Sequence, residues 1–242
     1  MKNLLICTLC FLLMGFSEYD DHLRPEVSAL SDPGFRFRHE YYLNVTQVLK
    51  PQPNEKINAH VVVLPSFSPE YLVGIKQLDH DYQIFSIEPE ISIWQFSYID
   101  DFRKNPDKFD SYDIPAHIEA LEKKSQQIPL SYDDIRVVRC TVNIPKTVAE
   151  NLLRVWHSML LEVRFPPKGR PVLDGVRYHF AMWVKDSYQT LSGKTNSPAQ
   201  DTKLGKLVAL TDKMKKICDD QDLSILPDLD QDARKLLSTF DH

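Results

Sequence analysis

Glycine is scarce, with seven in 242 residues, and none of them falls in a cluster that could cradle a phosphate. A Gly-rich nucleotide loop is therefore excluded, because its backbone N–H groups approach the phosphate only where side chains are missing. A surplus of positive charge is also lacking. Lysine and arginine number 29 against 34 acids, for a net charge of -5, and the basic runs Lys213-Met214-Lys215-Lys216 and Arg164 to Arg170 are short and interrupted. Nucleic acid is not expected as a partner, since that binding is driven by counterion release from a basic surface. Long apolar runs are missing as well. The stretch Leu4 to Met14, broken only by Thr8, would span roughly 17 Å as a helix against the ~30 Å of a bilayer core.

That short stretch has a different meaning. It follows Lys2 and precedes Gly15-Phe16-Ser17, which sets small residues three and one positions before Glu18, the pattern read by an export peptidase. Residues 1–17 are expected to be a cleaved signal peptide, leaving 225 residues with a net charge of -6 and no stable membrane span. The expected location is the periplasm or the extracellular space. Of four cysteines only Cys140 and Cys218 remain after cleavage. In an oxidising compartment they can pair, and two separate buried thiols are the competing reading.

The pattern along the chain predicts an α+β fold, a mainly antiparallel sheet packed against amphipathic helices. Residues 18–56 carry Pro25, Pro33, Pro51 and Pro53 and read as an extended N-terminal arm with one strand over Phe35 to Val48. Residues 57–242 read as a single domain. His60 to Leu64, Tyr71 to Leu78, Tyr82 to Ile87 and Ile91 to Ile99 are closely spaced β signals, a meander in which Trp94, Phe96 and Tyr98 would share a core face. Pro115 to Gln127 reads as helix and Ile135 to Ile144 as strand. Val148, Leu152, Val155, Trp156, Met159, Leu160 and Val163 then recur at helical steps behind Pro145. Asp174-Gly175 reads as a tight hairpin turn into the strand Val176 to Val184, with Tyr178, Phe180 and Met182 on one side and Arg177, His179 and Ala181 on the other. Gly193 and Ser197-Pro198 mark a loop. Asp201 or Thr202 caps a helix burying Leu204, Leu207, Val208, Thr211, Met214 and Cys218, and Asp228 starts a terminal helix through Phe240.

The segment Leu173-Asp174-Gly175-Val176-Arg177-Tyr178-His179-Phe180, with Trp156 before it and Trp183, Gly193 and Ser197-Pro198 after it, resembles a pattern in uncharacterised bacterial proteins, many of them exported. The likeness covers about Ile135 to Cys218. It implies a bacterial envelope protein and supplies no activity.

Candidate chemistry is thin. Asp228-Leu229-Asp230-Gln231-Asp232 opens like a calcium loop, but Ala233 replaces the turning glycine and Thr239 the closing glutamate, so a helix start is the better reading. Asp79-His80-Asp81 reads as a solvated turn. Ser66 and Ser68 follow a strand without the glycines of a nucleophile elbow. No cofactor and no metal are expected. Asp174, Arg177 and His179, near Tyr178, Trp183 and Arg164, form the remaining constellation: a His beside a carboxylate can act as a general base, and Arg can hold an anion. The same residues also suit a turn and a sheet surface. The function expected is therefore a non-catalytic exported accessory or binding protein for a protein or envelope partner; the alternative is an enzyme of unrecognised class with its site at Asp174 to His179.

Overall fold

The computed structural model describes residues 21–26, 33–79, 81–107, 115–165, 175–185 and 187–240. The elements are α1 (Pro33–Val48), β1 (Lys56–Leu64), β2 (Tyr71–Leu78), β3 (Asp81–Pro89), α2 (Ile93–Lys104), α3 (Pro115–Ser125), β4 (Val137–Ile144), α4 (Lys146–Leu161), β5 (Arg177–Val184), β6 (Gln189–Asn196), α5 (Lys203–Asp220) and α6 (Leu226–Leu237). Six strands form one sheet in the order β4-β3-β2-β1-β5-β6, with every neighbouring pair antiparallel. The fold is α+β, as the strand and helix periodicities predict.

Strand alternation divides the sheet into two core faces. Val61, Val63, Val73, Ile75, Ile84, Val142, Tyr178 and Phe180 point one way, into a core built with α4, α5 and α6. The expected stripe on α4 is buried from Val148 to Leu160, and Trp156, only 1% exposed, meets Phe180 edge to face at 5.7 Å. Thr202 caps α5 by accepting the Gly205 N–H at 2.9 Å. Val62, Leu64, Leu72, Phe85 and Ile87 point the other way and pack with Tyr41, Val45 and Leu49 of the α1 segment and Ile93 and Phe96 of α2. Helix α3 packs onto α2 through Leu121, Ile99 and Phe102.

Three sequence expectations are corrected. The strand over Phe35 to Val48 within an extended arm is helix α1 instead. Its prolines bracket the helix: Pro33 stands at its first position, where a missing N–H is harmless, and Pro51 lies beyond its end. Tyr41, Val45 and Leu49 then recur at four-residue steps. The strand over Ile91 to Ile99 is helix α2, because Ile93, Phe96, Ile99 and Phe102, three residues apart, outweigh the alternation of Trp94, Phe96 and Tyr98. Phe96 is buried whereas Trp94 and Tyr98 are exposed. Gly193 lies inside β6 rather than in a loop, and a Cβ there would come within 2.9 Å of both Leu23 and Val163. The hairpin turn expected at Asp174-Gly175 falls partly outside the described residues, which resume at Gly175. Strand β5 pairs with β1 on one side and with β6 on the other.

The segment Asp21–Glu26 runs along the β6 edge. Arg24 exchanges two backbone hydrogen bonds of 2.8 Å with Lys194, Leu23 is fully buried, and Asp21 accepts the Lys203 N–H at 2.8 Å at the start of α5. Edge strands expose unpaired backbone groups, and this strap covers part of one.

Candidate functional site

Arg177 and His179, two residues apart on β5, share the face covered by α1. His179 is 8% exposed. Its imidazole stacks on Tyr42 of α1, with ring centroids 4.3 Å apart and 26° between planes. Its Nδ1 is 2.7 Å from Glu26 Oε1, and Lys194, cross-strand from His179 on β6, places Nζ 3.7 Å from the other Glu26 oxygen. Burial pushes the Glu26 carboxyl up, but the hydrogen bond and charge of His179, with the charge of Lys194, outweigh it and hold the group below the usual carboxylate range. Burial, followed by the Glu26 charge, pushes the Tyr42 hydroxyl up to about 12.

In the neutral form of the ring, donation from Nδ1–H to Glu26 leaves the lone pair on Nε2, the arrangement that orients a general base. That nitrogen is buried and has no hydrogen-bond partner among the described residues. The dyad therefore has the internal order of an acid–base pair, while its reactive end is closed off beneath α1.

A second polar clasp sits beside it. Glu70, fully buried after β1, accepts the backbone N–H of Ile93 at 2.7 Å and of Trp94 at 2.8 Å, the Ser92 hydroxyl at 3.3 Å, and the Tyr41 hydroxyl. An acid at a helix N-terminus satisfies donors that have no partner within the helix and meets the positive end of its dipole. Burial, then the Glu70 charge, pushes the Tyr41 hydroxyl far above its ordinary value, so it stays a donor; Arg177 lies near enough to oppose the shift. Glu70 thus fastens α1 and α2 together and to the chain leaving β1.

Of the predicted constellation, Arg177 and His179 lie on this face and Asp174 lies outside the described residues. Trp183 is 45% exposed on β5, and Arg164 is exposed, with its backbone N–H bonded to the Leu23 carbonyl at 3.0 Å. Ser66 is engaged structurally: its hydroxyl donates to the Gly175 carbonyl at 2.6 Å and accepts the Gly175 N–H at 3.2 Å. Ser68 is exposed. Asp230 and Asp232 of the calcium-like run pair with Arg234 and Lys213 at 2.8 and 2.7 Å. His80 is outside the described residues. Among the described residues no group of three or more His, Cys, Asp or Glu side chains converges as for a metal, and no helix is long and apolar enough to cross a membrane.

Sequence reasoning missed Glu26, Tyr41, Tyr42 and Glu70. Glu26 and His179 are 153 positions apart, and nothing local couples them. Glu70 carried a faint signal, an acid one residue beyond Pro69 with a Ser-led helix start downstream at Ser92. No protein-family model, curated protein or solved structure matches this chain.

Proposed function

We propose that the chain is exported through cleavage of residues 1–17 and that the mature protein, starting at Glu18, works in the periplasm or outside the cell as a non-catalytic binding or accessory protein for a protein or envelope partner. The observation that carries the non-catalytic part is the closure of the best acid–base group: His179 is spent on Glu26 and Tyr42, and its remaining nitrogen is buried. A base must reach the proton it removes to within about 3 Å, which a nitrogen sealed under a helix does not do. The export part rests on the short apolar core and on Gly15-Phe16-Ser17, together with the resemblance of Leu173 to Phe180 to exported bacterial proteins.

One observation favours the enzyme alternative. The unpartnered Nε2 of His179 is the position a substrate proton would occupy once α1 moved, with Arg177 beside it and Asp174 two residues before Val176 in sequence.

N-terminal sequencing of protein recovered from host fractions tests export, with Glu18 outside the cytoplasm as the expected result; an intact Met1 on cytoplasmic protein overturns it. The variants Asp174→Asn and His179→Asn, read by melting temperature and by the phenotype of gene deletion, test catalysis. Full phenotype wherever the fold survives supports the binding reading. A lost phenotype at an unchanged melting temperature replaces it with the enzyme.

A further inference from the structure

Strand β4 is the sheet edge opposite the Asp21–Glu26 strap, and it carries Cys140 among residues that alternate between solvent and the α5 side. Val142 and Ile144, two and four residues on, are buried in the core beneath α4 to α6, so Cys140 points to that same side. Its cross-strand neighbour on β3 is Ser86. Above this pair lies the last turn of α5. Cys218 is buried there, and its thiol is within hydrogen-bonding reach of both the Cys140 thiol and the Ser86 hydroxyl. Cys140 Sγ is 3.4 Å from the Cys218 carbonyl, and Gln221, the residue that ends α5 with φ of 52°, donates its side-chain N–H to Cys140 Sγ at 3.1 Å and to the same carbonyl at 2.9 Å.

We infer that Cys140 and Cys218 are an oxidation site, a dithiol that a disulfide-bearing oxidant converts to a bond stapling the edge strand β4 to the end of α5. The two residues are 78 positions apart and come together through packing alone, which removes the search that separate thiols would need. Their exposures differ, and this sets the order of events. Cys140 is half-buried and reachable, whereas Cys218 is buried. The Cys140 thiolate attacks one sulfur of the oxidant's disulfide, forming a mixed disulfide and releasing the other sulfur as a thiol. The Cys218 thiolate then attacks the Cys140 sulfur and expels the oxidant's second sulfur as a thiol. Two protons and two electrons pass from the protein to the oxidant, which leaves as a dithiol or as two thiols. Burial, then the hydrogen bond with Cys140, pushes the Cys218 thiol up to about 12, so the second attack is the slow one.

The test uses the full chain, reduced, freed of reductant and then incubated with glutathione disulfide. Digestion with trypsin under non-reducing conditions is expected to yield residues 140–146 joined to residues 217–234, two hydrogens lighter than the sum of the separate peptides. Oxidised protein should melt above the reduced form, and dithiothreitol should reverse the difference. In Cys218→Ala, glutathione should remain on Cys140, because nothing resolves the mixed disulfide. Recovery of the two peptides unlinked, or of Cys140 joined to Cys7, to Cys10 or to a second molecule, overturns the inference. It leaves the export reading untouched, since that stands on the N-terminus found at Glu18.

Discussion

Against one face of the sheet α4, α5 and α6 lay down Leu152, Trp156, Leu207, Met214, Leu229 and Leu236, and the polar groups buried with them are hydroxyls such as Thr211, whose Oγ1 donates to the Leu207 carbonyl at 3.2 Å. Against the other, α1 and α2 bring a smaller apolar cluster and two buried ionisable side chains, Glu70 and His179. The first arrangement is non-directional and scales with apolar area. The second is directional, because Glu70 must meet two N–H groups and two hydroxyls at once. A smaller apolar area gains its orientation from such contacts, at the cost of sensitivity to any change of charge or geometry.

If the first face depends on packing alone, deleting its largest side chain should have the greatest effect. Trp156→Ala is expected to cost about 3–5 kcal/mol, read as a fall in the denaturation midpoint. The indole N–H has no hydrogen-bond partner among the described residues, so the loss is one of area and contact. Free quenching of the Trp156 fluorescence by iodide, with an unchanged midpoint, would contradict this burial.

Acid should separate the faces. His60, half-buried on the α1 side of β1, is pushed by burial down to about 4. Because the folded form resists the proton that the unfolded chain accepts near 6.5, this stability is whole above pH 6.5 and is lost as pH falls from 6.5 towards 4. The loss amounts to something on the order of 3 kcal/mol at the acid end. Glu26 has a depressed carboxyl, so its contribution is present above its ordinary value of 4.5 and is lost as pH falls through the lower folded one. Two successive windows are thus expected in a pH series of urea midpoints. His60→Gln should flatten the upper window only, and an unchanged slope between pH 6.5 and 4.5 in that variant would count against the assignment.

Glu70→Gln keeps the shape and replaces an acceptor oxygen with a donor, which then faces an N–H or hydroxyl that needs an acceptor. A cost of about 2–3 kcal/mol is expected, since hydrogen bonds to charged groups lie at the upper end of the usual range. Amide exchange at Ile93 and Trp94 should speed up while exchange in α4 is unaffected. Equal acceleration on both faces would show that the two clusters unfold as one unit.

How much of this was legible follows the same division. The first face announced itself: Val148 to Leu160 has one period and a proline in front, and Tyr178, Phe180 and Met182 alternate against Arg177, His179 and Ala181, as the strand requires. The second face did not. In and just after α1 the buried residues Tyr41, Val45 and Leu49 are diluted by Glu40, Asn44, Thr46 and Gln47, and in α2 alternating aromatics mimic a strand. What fixes these helices is a cap from Glu70, which lies 23 positions before Ile93, and a stack on His179 from a strand far along the chain. Pattern reads neighbours along the sequence, and such contacts are made between distant residues. Arg177 and His179 were found because they sit on a well-patterned strand, and Glu26 was missed because its partner lies at the far end of the chain.

The smallest effects belong to the rim where β1 ends and β5 begins. Gly175 has φ of 131°, a region that favours glycine, so Gly175→Val should add strain of about 1–3 kcal/mol. Ser66→Ala removes the hydroxyl that bonds both backbone groups of Gly175, at 2.6 and 3.2 Å. Ser66 is exposed, and water replaces part of what is lost, so about 1 kcal/mol or less is expected. The two changes act on one contact from opposite sides, which makes the double variant informative. If Ser66 serves only to hold Gly175 in its conformation, Gly175→Val already disrupts that hold, and the double variant should melt near Gly175→Val alone. Full additivity would show that Ser66 stabilises something other than Gly175. A Ser66→Ala protein of unchanged stability that loses the deletion-complementing phenotype would return this serine to the list of chemical candidates.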